Sequence, residues 1–397
     1  MRAKRACSDS RFSTDKKGEG MQTRTTRRSF IASSVAFAAA AGCVSADEMF
    51  GAANAPRFEF GLDGTFTFFH FTDLHLNPNG RKLHPRVERI ILAALEKYRP
   101  SLLVLTGDNV NGQNDDVNSR GKFEETVDPL IELFTSKEVP FCVTFGNHDS
   151  EKKGPDRFSR QEQYDYYKEK GGKFFVDHDV PELYGVGSGV VRICKPGARK
   201  SSFNLFVMDS GDYPAATGAE WPGFEGCHTD QIAWYERVSG NTPCLWFQHI
   251  IVPDVNVGGL FVDAPSCSDP KAEENDENGY KMACPDGERR MLLAKGVEGV
   301  LKEHTCPPYW KTYRDEAHTF EGRTLYDSWK KMGNLKGAYF GHDHKNTFDG
   351  TDANGIRLGM TKCCTFWSYN DGNPGLRVFK VRADGTYSTE IFAESMI

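Results

Sequence analysis

Short apolar runs that stop abruptly at polar groups recur along this chain. Phe66-Thr67-Phe68-Phe69-His70-Phe71 runs into Thr72-Asp73-Leu74-His75, and Leu102-Leu103-Val104-Leu105 ends in Thr106-Gly107-Asp108. Phe141-Cys142-Val143-Thr144-Phe145 stops at Gly146, then presents Asn147, His148 and Asp149. Cys244-Leu245-Trp246-Phe247-Gln248 delivers His249, and Ala338-Tyr339-Phe340 leads into Gly341-His342-Asp343-His344. Such runs are predicted as buried strands with polar groups at their carboxyl ends, where open α/β folds build sites. Between the first three, Val87, Ile90, Ile91, Ala94, Leu95 and Tyr98 recur at helical spacing after Pro85 and before Pro100. Val127, Leu130, Ile131 and Phe134 do the same. Proline suits the first turn of a helix and the end of one. Strand, helix, strand, helix, strand is the signature of parallel units joined by crossover helices.

Farther along, residues 203–208 read as a strand ending at Asp209-Ser210-Gly211-Asp212-Tyr213. Thr229 or Asp230 can cap a helix carrying Ile232, Trp234, Tyr235 and Val238. Residues 253–287 read as loop, a helix is expected near 290–303, and 305–330 read as surface insertion. Residues 357–362, 376–381 and 387–392 are predicted strands. The expected organisation is an N-terminal extension over 1–46, a linker over 47–60, and one domain over 61–397 with an insertion at about 253–335.

The composition, 39% hydrophobic and 26% charged over 397 residues, is that of a globular chain with a sizeable core. Charge is uneven. Residues 1–46 carry nine Lys/Arg against three Asp/Glu, leaving 40 basic against 52 acidic residues beyond them, a net of −12. So acidic a body argues against nucleic acid as a bulk partner, but not against a small phosphorylated substrate in a locally cationic cleft. Eleven cysteines without a Cys-x-x-Cys pair disfavour a thiolate zinc site. Cys267 and Cys284 bracket an acidic loop and are a candidate pair.

Thr26-Arg27-Arg28-Ser29-Phe30-Ile31, followed by a weakly apolar stretch to Gly42, resembles a twin-arginine export signal. The stretch is far shorter than the ~20 apolar residues a membrane span needs. The expectation is an exported protein, periplasmic or at the cell surface, that engages the twin-arginine machinery and starts at Met21. Ala41-Gly42-Cys43 resembles a lipoprotein cleavage site, which makes Cys43 a candidate membrane tether; cleavage after Ala46 is the alternative.

The five strand ends carry Asp73, His75, Asp108, Asn147, His249, His342 and His344, besides His148. In an extended segment residues i and i+2 point the same way, so Asp73 and His75 converge, as do His342 and His344. Two carboxylates, one amide oxygen and four imidazoles are too many donors for one open catalytic ion. They suit two ions sharing a bridging carboxylate. Imidazole and oxygen donors together fit Mn, Fe, Zn or Co without choosing among them.

The ordered set Asp-x-His, Gly-Asp, Gly-Asn-His-Asp, His, Gly-His-x-His resembles the calcineurin-like metallophosphoesterases over about residues 66–350. Asp209 to Tyr213, Gln231-x-x-Trp234 and Gly341-His342-Asp343-His344-x-Asn346 resemble the purple-acid-phosphatase-like branch. Asn111 stands where the purple enzymes have a tyrosine ligand, so a coloured ferric centre is not expected and two divalent ions are. The resemblance implies a four-layer α/β/β/α sandwich of two mixed sheets flanked by helices. It implies one metal on Asp73, His75, Asp108 and His344, and another on Asp108, Asn147, His249 and His342. It further implies phosphate ester hydrolysis by a metal-bridging hydroxide, with His148 as the acid for the leaving oxygen. A monoesterase is favoured; a diesterase, or a silent metal-binding scaffold, are the alternatives. Asp149 reads either as a partner for His148 or as a capping carboxylate. His70, His84, His178, His228, His304 and His318 match no ligand position and read as ordinary histidines. Trp221, Trp310 and Trp367 read as packing residues before substrate platforms.

Overall fold

Three adjacent parallel strands carry the first ligand blocks: β2 (Thr65–Phe71), β3 (Leu102–Thr106) and β4 (Phe141–Thr144), after a short β1 (Arg57–Glu59). The computed structural model describes residues 55–77, 83–111, 119–151, 157–214, 223–265 and 278–397. The twin-arginine segment, Cys43 and Trp221 lie outside them. β14 (Gly375–Arg382) and β15 (Tyr387–Ala393) extend the three strands antiparallel, giving the order β15-β14-β2-β3-β4.

The second sheet is seven-stranded. It uses β5 (Gly189–Cys194), β6 (Ser201–Met208), β7 (Cys244–Gln248), β11 (Leu335–Phe340), β12 (Asp349–Thr351) and β13 (Arg357–Met360) in the order β1-β5-β6-β7-β11-β13-β12. β6, β7, β11 and β13 run parallel, and its remaining pairs include antiparallel ones, so both sheets are mixed. Phe68, Val104 and Phe379 of one sheet pack against Leu205, Phe247 and Tyr339 of the other in a shared core.

Helices cover the outer faces. α1 (Pro85–Tyr98), α2 (Arg120–Ser136) and α3 (Arg160–Gly171) pack on the five-stranded sheet. α4 (Thr229–Val238), the one-turn α5 (Trp310–Tyr313) and α6 (Leu325–Met332) pack on the seven-stranded sheet. The expected four layers are present. No helix among the described residues is long and apolar enough to cross a membrane.

Residues 253–335 depart from the expectation. A three-stranded antiparallel sheet forms there from β8 (Phe261–Asp263), β9 (Tyr280–Cys284) and β10 (Gly287–Leu293), in the order β8-β10-β9. β10 occupies the start of the expected helix. Pro285 and Asp286 turn the β9–β10 hairpin into Gly287 (φ 126°), and Gly296 (φ 93°) breaks any helical continuation. Residues 305–330 are not mere surface either, because Tyr313, Leu325, Tyr326 and Trp329 are buried against the seven-stranded sheet. Cys284 is a free buried thiol 3.9 Å from the Met291 sulfur, and its expected partner Cys267 lies outside the described residues.

Candidate metal site

The strand-end donors meet at one place. Asp73, His75, Asp108 and His344 offer ligand atoms all within 4.8 Å of one another, and so do Asp108, His249 and His342; all six residues are buried. Asp108 belongs to both groups. Asp73 (φ 52°), His75 (φ 42°), Asp108 (φ 48°) and His342 (φ 76°) sit in the left-handed region that side chains other than glycine rarely adopt. Such strain persists only where surrounding structure enforces it. Here the enforcement includes close backbone approach. A side chain on Gly146 would put Cβ 2.3 Å from the Asp108 carboxylate, and one on Gly341 would put it 1.8 Å from the Thr72 hydroxyl.

Most donors have one atom pinned and another left over. The Asp73 Oδ2 accepts from the His342 backbone N–H and the Thr72 hydroxyl, both at 2.9 Å. Asp108 Oδ1 accepts from the His148 N–H at 2.8 Å. The Asn147 amide NH2 donates to Tyr213 Oη at 2.8 Å. The Nδ1 atoms of His249 and His344 lie 2.9 Å and 2.6 Å from the carbonyls of Thr106 and Tyr369. Left without hydrogen bonds are Asp73 Oδ1, Asp108 Oδ2, Asn147 Oδ1 and His249 Nε2, all buried. The Nε2 atoms of His75 and His344 face each other at 3.0 Å. Buried polar atoms are ordinarily satisfied, and imidazoles fixed through their other nitrogen are characteristic of ligating histidines.

Electrostatics agree with this fit. Burial pushes His75 and His342 down to about 3, so both are neutral donors. Burial opposes charge on Asp73, yet His344 and His249 hold its carboxyl below the usual range. At His249, burial lowers the pKa but Asp108 and Asp73 overcome it and raise it to about 9. Protons on His249 thus balance two buried carboxylates, and ligand sets of this kind release protons to a cation. The residues fit two metal ions.

His148 stands at the rim, with Nε2 3.9 Å from Asp108 Oδ2. Its Nδ1 lies 2.9 Å from a Glu151 carboxylate oxygen, a charge contact that sequence reasoning missed. Burial would depress its pKa, but Asp108 and Glu151 raise it to about 9. Asp149 takes the capping role instead: its carboxylate accepts from the N–H groups of Gly146 (2.7 Å) and Val110 (3.0 Å). Asp209 and Tyr213 prove to be supports. Asp209 takes two bonds from the Arg160 guanidinium (2.8 and 2.9 Å), whose other nitrogen donates to the Gly146 carbonyl at 2.7 Å. No local pattern flags Arg160, which reaches the site from α3. Tyr369 stacks on the His344 ring at 3.9 Å, and Phe224 meets the His342 ring edge-on at 4.3 Å.

Of the remaining histidines, His70 is bonded between Thr106 and Thr361, His178 is bonded to backbone carbonyls, and His84 accepts from Arg86 N. They are structural, as expected. Trp310 donates to the Ala283 carbonyl and Trp367 packs on His84.

Residues 66–237 match the family model of the calcineurin-like phosphoesterases. The chain is 26% identical over 355 residues to "Probable inactive purple acid phosphatase 29" of Arabidopsis thaliana, spanning 80% of this chain and 76% of that protein. It is 24% identical over 337 residues to "Probable inactive purple acid phosphatase 28" of the same plant, spanning 74% and 68%. "Phosphatase DCR2" of Saccharomyces cerevisiae is 24% identical over 201 residues, 46% of this chain and 33% of that protein. A crystal structure of a dimetal phosphatase from Danio rerio aligns over 82% of this chain and 99% of its own, at TM-score 0.46 and 13% identity.

Proposed function

We propose that this protein hydrolyses phosphate esters with two divalent metal ions, and that its preferred substrates are monoesters. The convergence of unbonded donor atoms on Asp108, from strand ends of both sheets, carries the reading. Asp73, His75, Asp108 and His344 would hold one ion, and Asp108, Asn147, His249 and His342 the other. When bound, such a pair supplies Lewis acidity toward phosphoryl oxygens and a nucleophile at neutral pH. The chain's own part is positional and protonic. Thr72, Thr106, Tyr213 and Tyr369 hold the donors in orientation, and the burial of the donors keeps bulk water away. His148, protonated through its two carboxylate neighbours and still partly exposed, is placed to give a proton to a leaving oxygen.

The leader supports a further proposal, that the protein works outside the cytoplasm, periplasmic or at the cell surface, after passage through the twin-arginine machinery, with Cys43 as a candidate lipid anchor. A second reading, metal binding without turnover, draws on the word "inactive" in the names of the two plant relatives. Against it stand seven intact donors and His148.

The deciding measurement is turnover of paired aryl mono- and diesters by purified protein with Mn(II). Monoester hydrolysis that a chelator removes and Mn(II) restores supports the proposal; metal bound at the site with no turnover of either ester establishes the second reading. His148→Ala should keep both ions and lose ~10²–10⁴ in kcat on an alkyl ester, with a smaller loss on an activated aryl ester. An equal loss on both would instead make His148 a stabiliser of phosphoryl oxygens.

A further inference from the structure

A second cluster repeats the pinned-and-free pattern away from the strand ends. Glu225, His228 and His318 offer ligand atoms within 4.8 Å of one another. His318 is 3% exposed; its Nδ1 lies 2.7 Å from Asp315 Oδ1, and its Nε2 has no hydrogen-bond partner. The His228 Nε2 is likewise buried and unbonded, and lies 3.7 Å from Glu225 Oε1. Glu225 Oε2 is pinned by the Tyr184 hydroxyl at 2.6 Å, which leaves Oε1 directed at the histidines. Tyr184 also stacks flat on the His228 ring, with centroids 3.4 Å apart, and the two imidazoles meet edge-on at 4.7 Å. A carboxylate, two imidazole nitrogens and an Asp315–His318 pair fixing one tautomer form a His2Glu donor set with its supporting shell.

We propose that Glu225, His228 and His318 bind a third metal ion, a borderline divalent ion such as zinc, separate from the strand-end pair. Imidazole and carboxylate donors suit zinc at three positions, leaving a fourth for water. The site joins two segments distant in sequence. His228 and Glu225 precede α4, while His318 lies in the connection from α5 to α6. There the Thr229 N–H donates to the Ala317 carbonyl (2.8 Å) and the Thr229 hydroxyl to the carbonyls of Glu316 and Thr319 (both 2.7 Å). An ion here staples residues 315–319 to the wall of the strand-end site, because Glu225 adjoins Phe224, which packs on His342. The alternative for the same atoms is a His228–Glu225 ion pair beside an independent His318–Asp315 pair.

The test titrates chelator-stripped full-length protein with zinc and compares it with His228→Ala, His318→Gln and Glu225→Gln, folding being checked by circular dichroism. Each variant should bind about one ion fewer per chain than the unsubstituted protein and should be cut faster by protease between residues 305 and 324. Equal zinc binding by folded variants and unsubstituted protein overturns the proposal. Should the variants fail to fold, zinc-edge anomalous diffraction from crystals of the unsubstituted protein decides. A peak at about 2.0–2.2 Å from His228, His318 and Glu225 supports the site, and no peak there refutes it. A peak in zinc-soaked crystals without matching binding in solution means binding at crystal concentration only, which also refutes it.

Discussion

The two sheets bring unlike chemistry to the strand-end site. The five-stranded sheet supplies Asp73, His75, Asp108 and Asn147, and so both carboxylates; the seven-stranded sheet supplies His249, His342 and His344, all imidazoles. One sheet would therefore carry the counter-charge for two cations, and the other would complete coordination with donors that burial keeps neutral or that share protons with the carboxylates. Loss of a donor from the first side should remove charge as well as geometry. Loss from the second should remove one bond. The site exists only while the two edges stay in register, and the core that keeps them so is largely aromatic: Phe247 lies 5.6 Å from Phe68, 5.2 Å from Phe379 and 6.1 Å from Tyr339.

Asp108→Asn should have the largest effect, removing both ions and turnover together, because two cations without the shared carboxylate repel each other. Metal analysis and esterase assay check this; full metal content with normal turnover would dissolve the two-ion assignment. His342→Ala should be milder, losing one ion while the Asp73 side keeps the other, with a lowered but metal-restorable rate. If it equals Asp108→Asn in metal loss, the charge asymmetry between the sheets is not what governs the site.

Phe247→Ala attacks the register. The side chain is fully buried, so truncation should cost about 3–5 kcal/mol in denaturant unfolding. It should also weaken metal binding without touching any donor; unchanged metal affinity in the folded variant would mean each edge holds its geometry alone. The smallest effect belongs to Glu151→Gln. Glu151 helps raise the pKa of His148, so its neutralisation lowers that pKa and deprotonates the acid at lower pH. The alkaline limb of the kcat/KM profile should shift to lower pH by up to about one unit. An unmoved limb at constant metal loading would remove His148 as the titrating acid.

The strands bearing the donors were legible because each ends in a buried run bounded by a turn, and Cys244–Gln248 falls at the residues read from the pattern. The donors were legible because they follow those runs immediately. The 253–335 segment was not legible in that way. β8 and β10 are only partly buried, and β10 opens with Gly287, Glu288, Arg289 and Arg290 before any apolar residue. Burial of Tyr313 and Trp329 depends on a sheet face built mostly from residues earlier in the chain.

Amino-acid order alone determined which segments become buried strands and which polar groups ride at their ends, since local apolar runs and glycines act over a few residues. Only the tertiary structure decided what those groups meet. It gave Asp149 to the backbone and Glu151 to His148, brought Arg160 from α3 to the Gly146 carbonyl, and joined His228 with His318 across ninety residues. Such partnerships depend on sheet packing and helix placement, which set distances between residues far apart in the chain and leave no periodic trace in it.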